Sequence, residues 1–144
     1  MARRPIDPFA SFNFLLEIDG ITQAGFSEAT GLNAESNVIE YREGSESLNV
    51  RKLPGLNKYG NVTLKRGITR NPELFTWFKN VMDGDIVRDE SMSVVLLDEK
   101  RQEVVRWNLL NAWPSKFVAP DLKANANEIA IESVEICHEG LQRQ

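Results

Sequence analysis

The sequence predicts a mainly β protein, a small antiparallel β-barrel or sandwich with one flanking α-helix and a long projecting β-hairpin loop. Several short segments alternate apolar and polar residues with the period of a half-buried strand. Turn residues separate these segments, and only one stretch, at about 72–82, has helical periodicity. The 144 residues are expected to form a single domain spanning 1–144, since this length buries about two thirds of the unfolded surface.

Two short hairpins are expected from the strand pattern. Residues 12–18 alternate, with Phe14 and Leu16 on one face, and Asp19 and Gly20 form a turn signal after which the chain returns antiparallel. Residues 93–97 and 104–110 also read as strands, joined by a charged turn at 98–103. Each hairpin supplies one apolar face for a core.

A third, longer hairpin is expected to project from the domain. Residues 38–42 and 62–66 are strand-like, whereas 43–60 contains Gly44, Pro54, Gly55 and Gly60, which punctuate regular structure. A loop of this length in a compact domain is usually functional or interfacial. We therefore predict a projecting loop at 43–60 that contacts a partner.

The helix is predicted from its cap and its apolar stripe. Asn71 is the expected N-cap, with Pro72 at the first helical position, and Asp83 with Gly84 ends the helix. Apolar residues at helical spacing form one stripe, namely Leu74, Trp77, Phe78 and Val81. This stripe indicates a helix that packs on the β structure.

The C-terminal third predicts a break followed by one long strand. Pro114 is expected to break the sheet, and 121–127 forms a short connection or helical turn. In the strand that follows, Ile129 and Ile131 lie in one phase and Val134 and Ile136 in the other. A β-bulge near 132–133, or a strand that crosses between sheets, would explain this change of phase. The strand is expected to pair on both sides, in part with another copy of the chain.

Charge and composition exclude several classes of function. Seventeen Lys and Arg against twenty-one Asp and Glu give a net charge of −4, which disfavours general affinity for nucleic acid or anionic lipid. Cys137 is the single cysteine, which excludes an internal disulfide and suits a reducing compartment. No apolar segment follows the basic N-terminus, and the longest apolar run is four residues. The sequence therefore predicts neither a signal peptide nor a membrane span.

No catalytic, cofactor or metal site is predicted. Cys137, His138 and Glu139 are adjacent, but neighbours on a strand point to opposite faces, and one His with one Cys cannot complete a zinc site. Residues 55–60 have the glycine spacing of a phosphate-binding loop without the Lys and Ser or Thr that the loop requires. A small β enzyme using His138 with a nearby acid is the catalytic alternative.

The ordered motifs of the chain resemble the tail-tube, or inner-tube, proteins of contractile-tailed phages and of related bacterial contractile injection systems. The resemblance covers nearly the whole length, because the motifs keep their order and spacing. They are DPF at 7–9, the strand at 12–18, GFSE at 25–28 with GL at 31–32, EYREG at 40–44, KLPG at 52–55, LKRGI at 64–68, WPSKF at 113–117, and NE at 127–128 through HEG at 138–140.

The resemblance implies a structural subunit with no cofactor and no catalysis. Such proteins form hexameric rings that stack into a hollow tube inside a contractile sheath, and contraction drives the tube through a target envelope to deliver DNA or effectors. The implied partners are further copies of the chain, the sheath protein, baseplate and tube-terminating proteins, and cargo or a tape measure in the lumen. Sequence-specific nucleic acid is not implied, and a membrane is met only by passage of the assembled tube. Synthesis is expected in the bacterial cytoplasm, followed by assembly into a phage tail or an injection particle.

The resemblance leaves one functional alternative of a different kind, a type VI secretion-like hexameric tube that is secreted as an effector carrier. It also implies two sets of contact residues. An N-terminal arm at 1–11 and the projecting loop are expected to contact the adjacent ring through Pro8, Phe9, Glu43, Glu46, Arg51, Lys52, Leu53, Leu56 and Tyr59. The polar residues expected to face the lumen are Glu40, Thr63, Lys65 and Glu132.

Overall fold

A computed structural model describes residues 7–8, 10, 13–18, 21–23, 26–44, 48–84, 92–125 and 127–144. These ranges contain eleven β-strands and one α-helix. In chain order the elements are β1 (Phe14–Ile18), β2 (Ile21–Gln23), β3 (Phe26–Thr30), β4 (Ala34–Tyr41), β5 (Arg51–Tyr59), β6 (Val62–Gly67), α1 (Glu73–Met82), β7 (Met92–Leu97), β8 (Glu103–Leu110), β9 (Trp113–Val118), β10 (Ile131–Cys137) and β11 (Gly140–Arg143).

The strands form two sheets and a separate two-stranded ribbon. Sheet A has the order β11-β8-β7-β1-β2, sheet B has the order β3-β6-β10-β9, and the ribbon pairs β4 with β5. All of these pairings are antiparallel. The predicted mainly β, antiparallel sandwich with one helix is confirmed.

The core lies between the inner faces of sheets A and B. Sheet A contributes alternate residues such as Leu16 and Val94, and sheet B contributes Leu64, Val134 and Ile136, all at most 3% exposed. Burying an aliphatic side chain of this size stabilises the fold by about 1.5–3 kcal/mol. The period-two pattern of the sequence therefore decides which face of each strand points inward.

Helix α1 packs on the core face of β9, an edge strand of sheet B. Pro72 occupies the cap position, one residue later than predicted, and the Asn71 Oδ1 atom accepts a hydrogen bond from the Glu73 backbone N–H at 3.1 Å. The rings of Phe75 and Phe78 pack on Phe117 of β9, with centroid distances of 5.4 and 6.4 Å. Asp83 and Gly84 end the helix as predicted, Gly84 having a φ of 96°. No helix in the described ranges is long and apolar enough to cross a bilayer.

Both short hairpins are confirmed. Ile18 of β1 lies opposite Ile21 of β2, and the two turn residues between them are outside the described ranges. Strands β7 and β8 pair across a turn in which one Asp98 carboxylate oxygen accepts hydrogen bonds from the backbone N–H groups of Lys100 and Gln102, both at 2.9 Å. The turn is thus closed by an acidic side chain that substitutes for a backbone acceptor.

The prediction of a projecting loop over 43–60 is wrong, although a projecting hairpin exists. Arg51–Tyr59 is strand β5, which pairs with β4 from Ala34↔Tyr59 to Tyr41↔Arg51, so only 42–50 connects the two strands. Strand β6 pairs with β3 and β10 instead of with β4. Pro54 and Gly55 are accommodated within β5 near a register shift of the pairing, between Ser36 and Val38. The punctuating residues therefore mark an irregular ribbon and not a loop.

Two predictions for the C-terminal third are also wrong. Pro114 does not break the sheet, because it is buried within β9, an edge strand of sheet B, beside the register shift between Glu135 and Ile136. No bulge occurs at 132–133, since the register of β10 against β6 is continuous there. The apparent change of phase arises because Ile129 and Ile131 are exposed, while a charged residue, Glu132, occupies the buried face.

Candidate assembly surfaces

The β4–β5 ribbon exposes apolar side chains on both of its faces. Ile39 lies opposite Leu53 on one face, and Val38 lies opposite Pro54 on the other. The exposed fractions are 51% for Ile39, 47% for Leu53, 62% for Val38 and 77% for Leu56. A two-stranded ribbon is at best marginally stable in water, and exposed apolar clusters mark contact sites. The ribbon is therefore a candidate contact surface.

The base of the ribbon is held rigidly against sheet B. Gly31, between β3 and β4, has a φ of 91°, and a Cβ atom there would lie 2.1 Å from the Asn61 carbonyl oxygen. The Asn33 Oδ1 atom accepts a hydrogen bond from the Gly60 backbone N–H at 2.9 Å. Both connections of the ribbon are thus fixed at the same point, which sets the direction in which it projects.

An aromatic contact adds to this base. The ring of Tyr59 lies 5.6 Å from the ring of His138, and the His138 Nδ1 atom is 2.9 Å from the Gly140 carbonyl oxygen. Since a carbonyl oxygen only accepts, Nδ1 donates, and the buried Nε2 atom has no hydrogen-bond partner among the described residues. His138 therefore packs at the junction of the ribbon and sheet B, where its ring supports Tyr59.

The described residues contain no group of three or more His, Cys, Asp or Glu side chains placed to hold a metal ion. Cys137 and His138 are both partly buried, and His138 contacts the Tyr59 ring and the Gly140 carbonyl oxygen. The arrangement of His138 is thus that of a packing residue.

The outer face of sheet B carries two of the predicted lumen residues. Thr63 and Lys65 alternate with the buried Val62, Leu64 and Arg66, so both point away from the core. The Lys65 Nζ atom lies 3.6 Å from a Glu28 carboxylate oxygen, and both side chains are about half exposed. This face is therefore polar.

A second pair of opposite charges lies on the same face. Glu135 on β10 accepts a hydrogen bond from the Asn61 side-chain amide at 2.8 Å, and Lys116 of β9 lies directly opposite Glu135. Together with Lys65 and Glu28, these groups give the outer face of sheet B two acids and two bases. A polar face of balanced charge results.

The lumen prediction for Glu132 is wrong. Its side chain is on the core face of β10, 4% exposed, and its Oε1 atom accepts a hydrogen bond from Arg66 Nε at 2.8 Å. Arg66 is 7% exposed and lies with its guanidinium 6.0 Å from the centre of the Phe26 ring. A charged pair buried in one subunit cannot line a lumen. In the sequence, Arg66 stands two residues after Leu64 and four after Val62. This spacing indicates that Arg66 lies on the apolar face of β6.

Glu40, the fourth predicted lumen residue, is exposed on β4 opposite Lys52. It belongs to the ribbon and not to sheet B. The structure therefore does not bring Glu40 together with Thr63 and Lys65.

The structure gathers most of the predicted inter-ring residues on the ribbon. Five of them share β5, and Tyr59, the last residue of that strand, contacts His138 at the base of the ribbon. Glu43 accepts a hydrogen bond from the Tyr41 hydroxyl at 3.0 Å. Pro8 is exposed, whereas Phe9 and Glu46 lie outside the described residues. The five residues on β5 are Arg51, Lys52, Leu53, Leu56 and Tyr59.

Sequence reasoning missed the apolar residues of β4. The sequence predicts a strand at 38–42, which contains Val38 and Ile39, but it does not indicate that these two side chains are exposed. Two adjacent apolar residues on a ribbon that has no third strand expose both of its faces. That consequence depends on the separation of the ribbon from sheet B, which is a property of the tertiary fold.

Solved structures similar to this chain come from contractile injection systems. A chain in the sheath–tube complex of the extracellular contractile injection system PVC, in its extended state, has a TM-score of 0.86 and 25% identity and covers 97% of this chain and 93% of its own. A chain in the tube-terminating cap of the anti-feeding prophage has a TM-score of 0.85 and 27% identity. The match covers 100% of this chain and 94% of the prophage chain.

A more distant structure shares the fold alone. Hcp1 from Flavobacterium johnsoniae has a TM-score of 0.57 and 16% identity over 92% of this chain and 94% of its own. No curated protein matches the sequence. The family model for the T4-like virus tail tube protein gp19 matches residues 10–142. The chain therefore belongs to the T4-like tail tube protein family.

Proposed function

We propose that the chain is the inner-tube subunit of a contractile injection particle, in which hexameric rings stack into a hollow tube that is driven through a target envelope. The observation that carries this proposal is the likeness to the PVC sheath–tube chain over 97% of the chain at a TM-score of 0.86. The family is structural, so the subunit acts by assembling and not by catalysis. Chains of PVC and of the anti-feeding prophage, at 25–27% identity, favour an injection particle over a phage tail.

The sheet edges support assembly. Strands β3 and β9 are the edges of sheet B, and β2 and β11 are those of sheet A. An edge strand offers unpaired backbone N–H and C=O groups, which aggregate unless they are covered or paired. Pairing between copies removes the edges of a sheet by closing it into a ring.

The ribbon supports stacking. Its apolar side chains are exposed on both faces, and its base is fixed by Gly31 and by the Asn33 hydrogen bond to Gly60. Because the ribbon is already ordered, contact with a neighbour costs less conformational entropy than ordering a flexible segment would. The proposed inter-ring residues are Pro8, Phe9, Glu43, Glu46, Arg51, Lys52, Leu53, Leu56 and Tyr59.

The outer face of sheet B is the proposed lumen wall. Thr63 and Lys65 are the residues that we place there, with Glu28, Lys116 and Glu135 beside them. On this face Lys65 lies near Glu28, and Lys116 lies opposite Glu135. Because the charges are balanced, the wall does not attract a passing cargo chain strongly. The lumen then admits cargo without binding it tightly.

The proposed partners are a sheath protein, baseplate and tube-terminating proteins, and cargo or a tape measure in the lumen. The similar structures include a sheath–tube complex, a baseplate and a tube-terminating cap, which supports this set. We further propose synthesis in the bacterial cytoplasm before assembly into the particle.

The alternative is a secreted, type VI-like hexameric carrier whose rings stack only transiently, and the shared fold with Hcp1 motivates it. Sedimentation velocity of the purified chain over a wide range of dilution separates the two. An inner-tube subunit gives stacked rings that persist on dilution, whereas a carrier gives single rings. A particle that stays monomeric at every concentration would contradict both.

A further inference from the structure

An apolar cleft opens between the two sheets beside β3. It has a volume of about 390 Å³, and Ser27 and Glu28 stand at its rim. Sheet A and the end of β3 supply its apolar walls, which are Phe14, Ala29, Leu32, Val94, Leu96 and Trp107. We call this feature the sheet cleft.

The sheet cleft is a place where the sandwich is left unfilled. Phe14, Leu32 and Trp107 pack against the core but remain partly exposed through the cleft. No side chain of the described residues fills it. Apolar surface of this kind, rimmed by polar residues, marks a contact site for another molecule.

The opposite edge of sheet B carries an apolar projection. Residues 119–130 connect β9 to β10, and we call them the β9–β10 segment. Within it Leu122 is 86% exposed and Ile129 is 81% exposed. Lys123 follows Leu122 and is exposed as well. Asp121 precedes Leu122 and is exposed too, so the segment presents an apolar side chain between one acid and one base.

The sheet cleft and the β9–β10 segment lie at the two ends of one row of cross-strand partners in sheet B. Glu28 of β3 pairs with Lys65, Lys65 with Ser133, and Ser133 with Val118, the last residue of β9. This row runs across the sheet from the rim of the cleft to the start of the β9–β10 segment. Because β3 and β9 are opposite edges, the two surfaces meet only between copies placed head to tail.

We propose that Leu122 of one copy seats in the sheet cleft of the next copy, with Lys123 facing Glu28 at the rim. The contact rests on the proposed function, and it adds residues that fix how neighbouring copies dock within a ring. Lys123 and Glu28 carry opposite charges, and the Glu28 carboxylate is about half exposed, with its ion pair to Lys65 at the long distance of 3.6 Å. A head-to-tail contact of this type closes into a ring when its rotation divides a full turn.

Site-directed cross-linking tests the contact on the full chain. Ser27 and Ala124 are both exposed, one at the rim and one beside Lys123, and neither carries the proposed contact. Each is replaced by Cys in a Cys137→Ala background, which removes the one natural thiol. The two single-Cys proteins are treated with a short bis-maleimide separately and after mixing under conditions in which rings form.

The proposed contact predicts a cross-linked dimer in the mixture and none in either protein alone. A Ser27→Cys, Ala124→Cys double variant then gives a covalent ladder that ends at the size of the ring. Linkage of Ala124→Cys to itself would overturn the head-to-tail arrangement. Rings without any link in the mixture would show that something else fills the cleft, the chain's own N-terminal arm included, and would overturn the contact while leaving the tube proposal standing. Absence of rings at every concentration would overturn both.

Two substitutions give an independent readout. Leu122→Asp should weaken ring association by about 10-fold or more per contact, because a buried leucine is lost and a charge enters an apolar cleft. Lys123→Glu should weaken it by about 2- to 5-fold, and Glu28→Lys in the same chain should restore it. Lys100→Glu, in the exposed β7–β8 turn, is the matched control and should leave association unchanged. Equal effects of Lys123→Glu and Lys100→Glu would overturn the charge pairing.

Discussion

Arg66 and Glu132 form an ion pair inside sheet B, with 2.8 Å between Nε and Oε1 and side chains that are 9% and 6% exposed. They lie directly opposite each other on the two central strands, β6 and β10. The Arg66 Nη2 atom also lies 3.4 Å from the Asn71 carbonyl oxygen, just before α1. One guanidinium therefore links the middle of the sheet to the start of the helix.

Removing one member of this pair should be costly. Glu132→Ala leaves the buried Arg66 charge without its partner, and we expect the free energy of unfolding to fall by about 3–5 kcal/mol. Urea denaturation followed by circular dichroism measures it. Glu135→Ala, on the exposed face of the same strand, is the control and should cost less than about 1 kcal/mol.

A double variant separates the charge from the packing. Arg66→Met with Glu132→Leu replaces the pair by apolar side chains and should recover most of the stability that Glu132→Ala loses. If Glu132→Ala were no more destabilising than Glu135→Ala, the pair would contribute little to the fold.

The same pair shows where the sequence was sufficient and where it was not. Period-two alternation located β1 and β8 within a few residues, and the cap with its helical apolar spacing located α1, because each of these elements buries one apolar face. In β10 the buried face contains Glu132, so the pattern read as a change of phase. A charged residue becomes a core residue only when its partner is on another strand, and the sequence of one strand does not show that partner.

The ribbon is a second element that the sequence did not fully predict. Pro54, Gly55 and Gly60 indicated a loop, yet β5 keeps its pairing with β4 by shifting register near Pro54. The prediction of contact residues on β5 depended on the family resemblance and remains a proposal. The apolar character of both ribbon faces became visible only once β4 and β5 stood apart from sheet B.

Gly31→Ala should disturb the direction of the ribbon. The substitution places a Cβ atom against the Asn61 carbonyl oxygen at a residue whose φ is 91°, and we expect a loss of about 2 kcal/mol or more in the free energy of unfolding. Stacking of rings, scored by electron microscopy, should fall as well. Gly44→Ala is the matched control, because a Cβ there meets nothing within 4 Å. Similar behaviour of the two variants would contradict a rigid ribbon base.

The exposed apolar residues of the ribbon should matter for assembly and not for folding. Leu56→Ser and Val38→Ser remove side chains that are 77% and 62% exposed, so the free energy of unfolding should change by less than about 0.5 kcal/mol. Assembly, measured by sedimentation velocity, should weaken markedly. Met82→Ser, at the end of α1 and 61% exposed, is the control and should assemble normally. Normal stacking of Leu56→Ser and Val38→Ser would remove the ribbon from the interface.

A charge cluster on sheet A should make stability depend on acid pH. Arg106 donates hydrogen bonds to Glu103 and also to Glu17, and its hydrogen bond to Glu103 holds the pKa of that carboxyl below its ordinary value of 4.5. A carboxyl whose pKa is lower in the folded state stabilises the fold above its ordinary pKa, and that contribution disappears as pH falls through the lowered value.

Arg106→Gln should therefore cost about 0.2–1 kcal/mol near neutral pH, since Glu103 is 46% exposed. The difference from the unsubstituted chain should shrink as the pH falls below about 4.5. Thermal unfolding of both proteins between pH 3 and pH 7 measures this. A difference that stayed constant over the whole range would exclude the Glu103 interaction as its source.

Electron microscopy of the purified full-length chain at high concentration tests the central claim most directly. The account predicts hollow tubes of stacked rings, whose reconstruction places Thr63 and Lys65 on the inner wall and the β4–β5 ribbon between adjacent rings. It also predicts that replacing residues 38–54, the distal part of the ribbon with its connection, by a short turn leaves rings that no longer stack. Monomers under every condition tested, or tubes that still grow when the ribbon is shortened in this way, would contradict it.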